Sequence, residues 1–559
     1  MPVTLSGGMF RTFACLCTLS MLGVLSHANA STPMVATRPT VMRSPSPLQG
    51  IQRSRSILRM APRKQTAEVP VFLMMPLDTL DPTTGKLKES SAELLPGAAA
   101  LGAEGIMVDV WWGLCEQEPG IYNFDGYVDL LKQCRSLGLK VQAVMSFHAC
   151  GGNIGDSVNI PIPQWVLDLE FTVPELFYRD QRGDPSREYI SLSCDHLARF
   201  PGKRWAEDEE AEDSLRTALD LYEDFMLAFR NATKDFARDG TLVEIQVGCG
   251  PCGELRYPSY PLAPREHYPD GWAWPGIGEL QCYDRGMYLD MKEALGRDRP
   301  PIRLGAYSDA PDDAKFWTKL PNEQTLMQYL LGMLQTAGPS KYPPEHFSHP
   351  SGRAFLAWYS GRLLSHGEEV MAVARDVFGP TMRLAAKVSG IHWLRAHPSH
   401  AAEVTAGYHG SYLDAVCEIL AKTRSVLDFT CFEMRDDSQP SFALSRPEGL
   451  VQSAAEAAHR AGIEFAGENA LFCWQDEGSI EQIEAQCELA VRGGVVMAGF
   501  TVLRLDHWLL APGSPQRKAM ERFIANMKDL SKRKLSRSAW TRFRIGMRRA
   551  YESFMASQI

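Results

Sequence analysis

Eight short, nearly continuous apolar runs recur along this chain, and stretches with helical periodicity separate them. The runs cover residues 69–77, 105–111, 140–147, 242–248, 383–388, 426–432, 463–466 and 495–503. A strand covered on both faces reads this way, because neither side of its pleat meets water. The amphipathic stretches between them cover residues 127–137, 213–235, 353–378, 409–423, 452–461 and 480–492. Strands that alternate with helices pair in parallel, and eight such units close on themselves. The expected fold class is therefore α/β, a single (β/α)8 TIM barrel with long loops at the C-terminal face of the strands. Two connections are long, 151–239 and 254–383, and both are rich in Pro and Gly. Loops of that size in a compact domain usually carry function.

The N-terminus stands apart from this pattern. Residues 1–67 hold eight basic residues and no Asp or Glu. Their apolar run from Phe13 to Leu25 is shorter than the ~20 residues that span a bilayer. Ala28-Asn29-Ala30 follows as a small-residue cleavage pattern, then a Ser-, Pro- and Arg-rich stretch. The first part reads as a secretory signal and the second as an organelle transit peptide. The expected organisation is a presequence over 1–67, a catalytic barrel over 68–530 and a basic helical tail over 531–559. The expected destination is a plastid, with secretion as the alternative. Without the presequence the chain keeps 50 basic against 67 acidic residues, a net charge of −17. Such a surface repels nucleic acid and anionic membranes and suits a neutral partner.

The candidate chemistry lies at the ends of the apolar runs. Glu254 follows the fourth run across a Gly-Pro turn, and Glu468 closes the seventh. Each alone reads as a salt-bridge member or helix cap. As a pair brought together from distant strands they are the two carboxyls that cleavage of a glycosidic bond requires. Other strand ends are polar too: Asp109, His148, Lys387 with His392 just beyond, Thr430 and Arg504. Ionisable groups in apolar runs are costly unless paired or used, and sugars need fixed donors and acceptors around them. Trp111, Trp112, Trp272, Trp274 and Trp393 are candidate stacking faces, although core packing is the commoner fate of a Trp. The segment Gly151-Gly152-Asn153-Ile154-Gly155 has the glycines of a mobile lid, with Asp156 as a contact.

Cofactor motifs are missing. The glycine-rich segment has neither the Gly-Lys-Ser/Thr of a phosphate loop nor the spacing of a dinucleotide fingerprint. No zinc-type or calcium-loop spacing occurs, so no metal and no organic cofactor is expected. Thirteen scattered cysteines do not form a disulfide framework. Cys249 and Cys252 match a CxxC redox motif, yet Pro258 argues against the helix that such a motif opens. A redox switch beside Glu254 remains the minor reading.

The residues as they stand resemble the β-amylases. The resemblance runs from about residue 69 to about residue 527. It rests on Met107-Val108-Asp109-Val110-Trp111-Trp112-Gly113, on His148-Ala149-Cys150 through Asp156, and on Gly253-Glu254-Leu255-Arg256-Tyr257-Pro258-Ser259-Tyr260. It rests further on Lys387 through Trp393, Thr430-Cys431-Phe432-Glu433-Met434-Arg435-Asp436 and Gly467-Glu468-Asn469-Ala470-Leu471. It implies inverting, exo-acting release of β-maltose from starch or maltodextrin, with Glu254 as general acid and Glu468 as general base. It implies sugar contacts at Asp109, His148, Asp156, Lys387, His392, Thr430, Asn469, Ala470 and Arg504, and an inner loop at 430–435. The expected protein is a monomer with no nucleic-acid partner and, once processed, no membrane partner. Three positions depart from the family pattern: Ala149, Cys252 and the loop Phe472-Cys473-Trp474. The last favours an alternative, a catalytically weak or inactive glucan sensor on the same fold.

Overall fold

The computed structural model describes residues 68–153, 156–202, 215–261, 272, 274–300 and 347–530. Residues 1–67, expected as a presequence, residues 531–559, expected as a tail, and Ile154 and Gly155 of the expected lid lie outside the described residues. Ten strands occur among the described residues: β1 Val71–Met74, β2 Gly105–Trp111, β3 Lys140–Ser146, β4 Phe177–Arg179, β5 Pro185–Ile190, β6 Leu242–Val247, β7 Arg383–Val388, β8 Ser425–Phe429, β9 Phe465–Glu468 and β10 Met497–Val502. Eight of them close a parallel barrel in the order β1-β10-β9-β8-β7-β6-β3-β2. The expected (β/α)8 class is the observed one. The pair β4–β5 is an antiparallel ribbon inside the long third connection, and the sequence reading did not foresee it.

Helices follow the barrel strands and face them with apolar stripes. Asp125–Leu137 follows β2 and ends on left-handed Gly138. Ala218–Arg238 follows β3 and opens with a Thr217–Asp220 capping box. Pro350–Phe378, Tyr412–Thr423, Pro447–Ala461, Glu477–Arg492 and Pro515–Met527 complete the later units. The Thr217–Asp220 box satisfies orphan N–H groups of its first turn, and left-handed Gly138 stops its helix where the chain returns to the barrel.

The strands sort their side chains by alternation. Val71, Leu73, Ile106, Val108, Val110, Val141, Ala143 and Met145 are buried in the main core. The lumen carries a different set. Small residues Ala385, Val426, Ala466 and Ala498 form one cluster, and Met74, Met107 and Val144 form another. The remaining lumen positions are polar, and they build the site.

Candidate active site

The site grows from the ends of β6, β7, β8 and β9. Beyond β6 a single tight turn, Pro251–Gly253, leads into Glu254 in an extended conformation. Glu254 forms a parallel bridge with Lys387, and the Leu255 N–H donates to the Lys387 carbonyl at 2.9 Å. The fourth run thus resumes its pairing after the turn and carries Glu254 to the rim. Arg256 Nε donates to Glu254 Oε2 at 2.6 Å, both side chains being buried. Glu468 is the last residue of β9, within the strand rather than just beyond it, and it is fully buried. A Cβ on the preceding Gly467 would lie 2.6 Å from the Phe432 ring, so only glycine lets the inner loop pack there.

Lys387 joins the two carboxylates. Its backbone pairs with Glu254, and its Nζ lies 2.7 Å from Glu468 Oε2. Burial alone would lower the pKa of this ammonium. The charges of Glu468, Asp428 and Glu254 outweigh that and hold it above the ordinary lysine value.

The other expected residues gather around this pair. Asp109, on β2, accepts from Ser146 Oγ at 2.9 Å and faces Arg504 Nη1 at 3.5 Å. His148 follows β3 with the Trp111 ring 5.1 Å away and a buried Nδ1 that has no partner. Burial pushes its pKa down to about 3, so the imidazole is neutral. His392 donates to or accepts from Ser445 Oγ at 3.3 Å, and burial lowers its pKa to about 4. Thr430 Oγ1 accepts from the Gly390 N–H at 2.8 Å and ties the inner loop to the end of β7.

Some expected contacts serve the loops themselves. Asp156 Oδ2 accepts from the N–H groups of Gly151, Gly152 and Asn153 at 2.8, 3.0 and 2.9 Å. It closes the glycine-rich turn, whose base is a two-bond bridge between Cys150 and Ile160. Asn469 uses its whole amide on backbone: Nδ2 donates to Leu471 O and Leu503 O, and Oδ1 accepts from Leu503 N. That side chain helps to stitch together the loops after β9 and β10. The N–H of Ala470 donates to both Glu433 oxygens at 3.0 and 3.1 Å, and that of Leu471 donates to Oε1 at 2.7 Å.

The sequence reading missed Glu433, Arg256 and a polar layer in the lumen. That layer holds Gln142 on β3, Glu244 and Gln246 on β6, and Asp428 on β8, all buried. Gln142 Nε2 donates to Glu244 at 2.9 Å, and Gln246 Nε2 donates to Asp428. A usable signal was present. Glu244 and Gln246 alternate within a run read as apolar, and polar residues at period two in a doubly covered strand mark the lumen face.

The proposed stacking faces need correction. Trp111, Trp112, Trp272 and Trp393 are buried. The Trp111 and Trp112 indoles donate to Leu77 O and Glu116 Oε2, and that of Trp393 to Gly276 O. Only Trp274 of that set shows an exposed face. Larger free faces belong to Phe472 and Trp508, 51% and 76% exposed. With Gln475, Asp506 and Gln516 they line an open cavity of about 500 Å³ beside the loops after β9 and β10. In the departing loop, Cys473 and Trp474 turn inward; Trp474 packs on Phe523 and donates to Leu503 O at 3.2 Å. Cys249 and Cys252 are both free thiols, and Cys252 Sγ lies 3.3 Å from Arg256 Nη2. Among the described residues no cluster of His, Cys, Asp or Glu is arranged to hold a metal ion.

A parallel barrel with two buried carboxylates flanking one lysine at the strand C-termini defines the class, a glycoside-hydrolase-type barrel. Comparison with known proteins gives the family. Glycosyl hydrolase family 14 matches residues 72–533. Beta-amylase 1, chloroplastic, of Oryza sativa subsp. japonica is 41% identical over 495 residues, covering 86% of this chain and 83% of that protein. Beta-amylase 5 of Arabidopsis thaliana is 39% identical, covering 78% of this chain and 83% of that protein. The solved catalytic domain of a β-amylase from Paenibacillus polymyxa superposes with a TM-score of 0.60 at 25% identity, covering 83% of this chain and all of that one. The chain belongs to glycosyl hydrolase family 14.

Proposed function

We propose that this protein is an active, exo-acting, inverting hydrolase of α-1,4-linked glucans that releases β-maltose from non-reducing ends. The observation that carries the reading is Lys387, which meets Glu254 through its backbone and Glu468 through its ammonium. Glu254 protonates the departing glycosidic oxygen. Glu468 takes a proton from water as that water attacks the anomeric carbon from the opposite face. Inversion needs room for this water, roughly 6.5–9.5 Å between carboxyls, and a lysine interposed between them suits that spacing better than direct contact would.

The surroundings fit an uncharged polyhydroxy substrate. His148 and His392 are neutral, so they exchange hydrogen bonds with hydroxyls without presenting charge. Asp109 and Arg504, at the ends of β2 and β10, form a polar pair. Phe472 and Trp508 offer stacking faces for glucose units outside the cleft. The inactive-sensor alternative drew on the Phe472-Cys473-Trp474 loop. Its Cys473 and Trp474 are interior anchors, so the change leaves the segment that carries Glu468 well supported. The acid-free, basic residues 1–67 suit plastid import, in keeping with relatives named chloroplastic.

The test is incubation of the purified mature chain with soluble starch, followed by polarimetry of the product. Maltose released as the β anomer, whose optical rotation then rises towards the equilibrium value, supports the reading. Absence of maltose, or release of the α anomer, overturns it.

A further inference from the structure

Beneath Glu468 the lumen holds more negative charge than it can carry. Glu244, Asp428 and Glu468 are all buried there, and Lys387 is the cation that meets Glu468. Register places them together. Asp428 lies opposite Lys387 on one side and Ala466 on the other, two residues before Glu468 on the same face of β9. Gln246 Nε2 donates to Asp428 Oδ2, and Lys387 Nζ meets Glu468 Oε2. Asp428 Oδ1 and both Glu468 oxygens are buried without a hydrogen-bond donor, Lys387 facing Oε2 as an ion pair, and the two carboxyls are in hydrogen-bond contact. Two touching carboxylates in a closed lumen do not both ionise; a hydrogen between them supplies the missing donor.

The neighbours decide where that hydrogen resides. Glu468 has the ammonium, whereas Asp428 has only a neutral amide. We propose that Asp428 is a positioning residue, held as the neutral acid, whose Oδ1–H donates to the Glu468 carboxylate, fixes its orientation and keeps it ionised. The inference rests on the assignment of Glu468 as base. The groups facing Asp428 agree with it. Burial, then the Glu468 charge from β9, raise the Asp428 pKa well above the ordinary range; Lys387 from β7 opposes this and Glu244 from β6 adds to it. No proton leaves Asp428 in the reaction. Water loses its proton to Glu468, and the Asp428 hydrogen bond holds that carboxyl throughout.

Asp428→Asn retains a donor of the same shape, whereas Asp428→Leu removes it. The kcat–pH profile on soluble starch is expected to keep most of its height in Asp428→Asn, with KM unchanged. Asp428→Leu is expected to lose tenfold or more in kcat, and the acid limb is expected to move to higher pH in the order wild type, Asn, Leu. Equal losses in both variants, or an unmoved profile in Asp428→Leu, overturn the proposal. A second measurement is independent of turnover. The infrared difference spectrum of wild type minus Asp428→Asn at pH 7 is expected to show the carbonyl stretch of a protonated carboxylic acid. Its absence overturns the proposal even if the chain proves not to cleave glucans, and its presence stands even then.

Discussion

Glu254 and Glu468 are both buried carboxylates next to a cation, yet their surroundings differ in kind. Glu254 sits on a turn beyond its strand and meets Arg256, its neighbour two residues on, through one oxygen. Glu468 sits inside its strand and meets a lysine two strands away, with Asp428 at its back. The first arrangement is local and close to the rim. The second is assembled by three strands and fully buried. Under the proposed function the rim carboxyl would give its proton to the departing oxygen, and the lumen carboxylate would take one from the attacking water. The difference suits an acid and a base drawn from the same residue type.

The largest expected effect tests the pair itself. Glu254→Gln and Glu468→Gln should each lower maltose release by roughly 10²–10⁴-fold, with glucan retention in affinity electrophoresis preserved. Near-normal turnover in either would remove the assigned role. The cations come next. Lys387→Met should destabilise the fold by about 3–5 kcal/mol, because Glu468 then lacks its counter-ion in a closed lumen. Arg256→Met should cost less, about 1–3 kcal/mol, since Glu254 lies nearer water. Urea unfolding of both variants checks the order, and equal losses would erase the distinction between rim and lumen.

Glu244 sharpens the same contrast through pH. Burial raises its pKa to about 7, above the unfolded value near 4.5. The folded state therefore keeps a proton that the unfolded state gives up, and stability falls as pH rises from about 4.5 to about 7. Glu244→Gln retains the hydrogen-bond partner for Gln142 and abolishes that loss. The variant should match wild type below pH 4.5 and exceed it by about 3 kcal/mol above pH 7. Thermal melts across pH 4–8 measure this, and a constant difference would show that Glu244 does not titrate there. The smallest effect concerns the outer surface. Trp508→Ala should remove about 1 kcal/mol of stacking on long glucans, a roughly fivefold rise in KM, and leave maltopentaose kinetics unchanged. Equal effects on both substrates would place Trp508 outside that role.

Much of this was legible in the chain. The eight apolar runs matched the eight barrel strands, with ends displaced by a few residues. The 463–466 run became Phe465–Glu468, because Glu468 continues the ladder with Thr501 of β10. The β4–β5 ribbon was not legible, since its six-residue strand Pro185–Ile190 opens on proline and mixes charged with apolar residues. Trp111 and Trp112 took the core-packing fate that the sequence left as the commoner alternative, because an indole in a strand-end motif looks the same whether it faces sugar or core. Asp156 and Asn469 read as substrate contacts, yet their hydrogen bonds go to nearby backbone N–H and C=O groups, a use that depends on loop geometry.

Local composition and period alone determined the barrel class and pointed to Glu254 and Glu468 at strand ends, because burial pattern and charge are written residue by residue. Only the tertiary structure decided which cation meets which carboxylate. Lys387, Asp428 and Glu468 come from three strands, and their ionisation depends on contacts across a closed lumen that exist only once the barrel has shut.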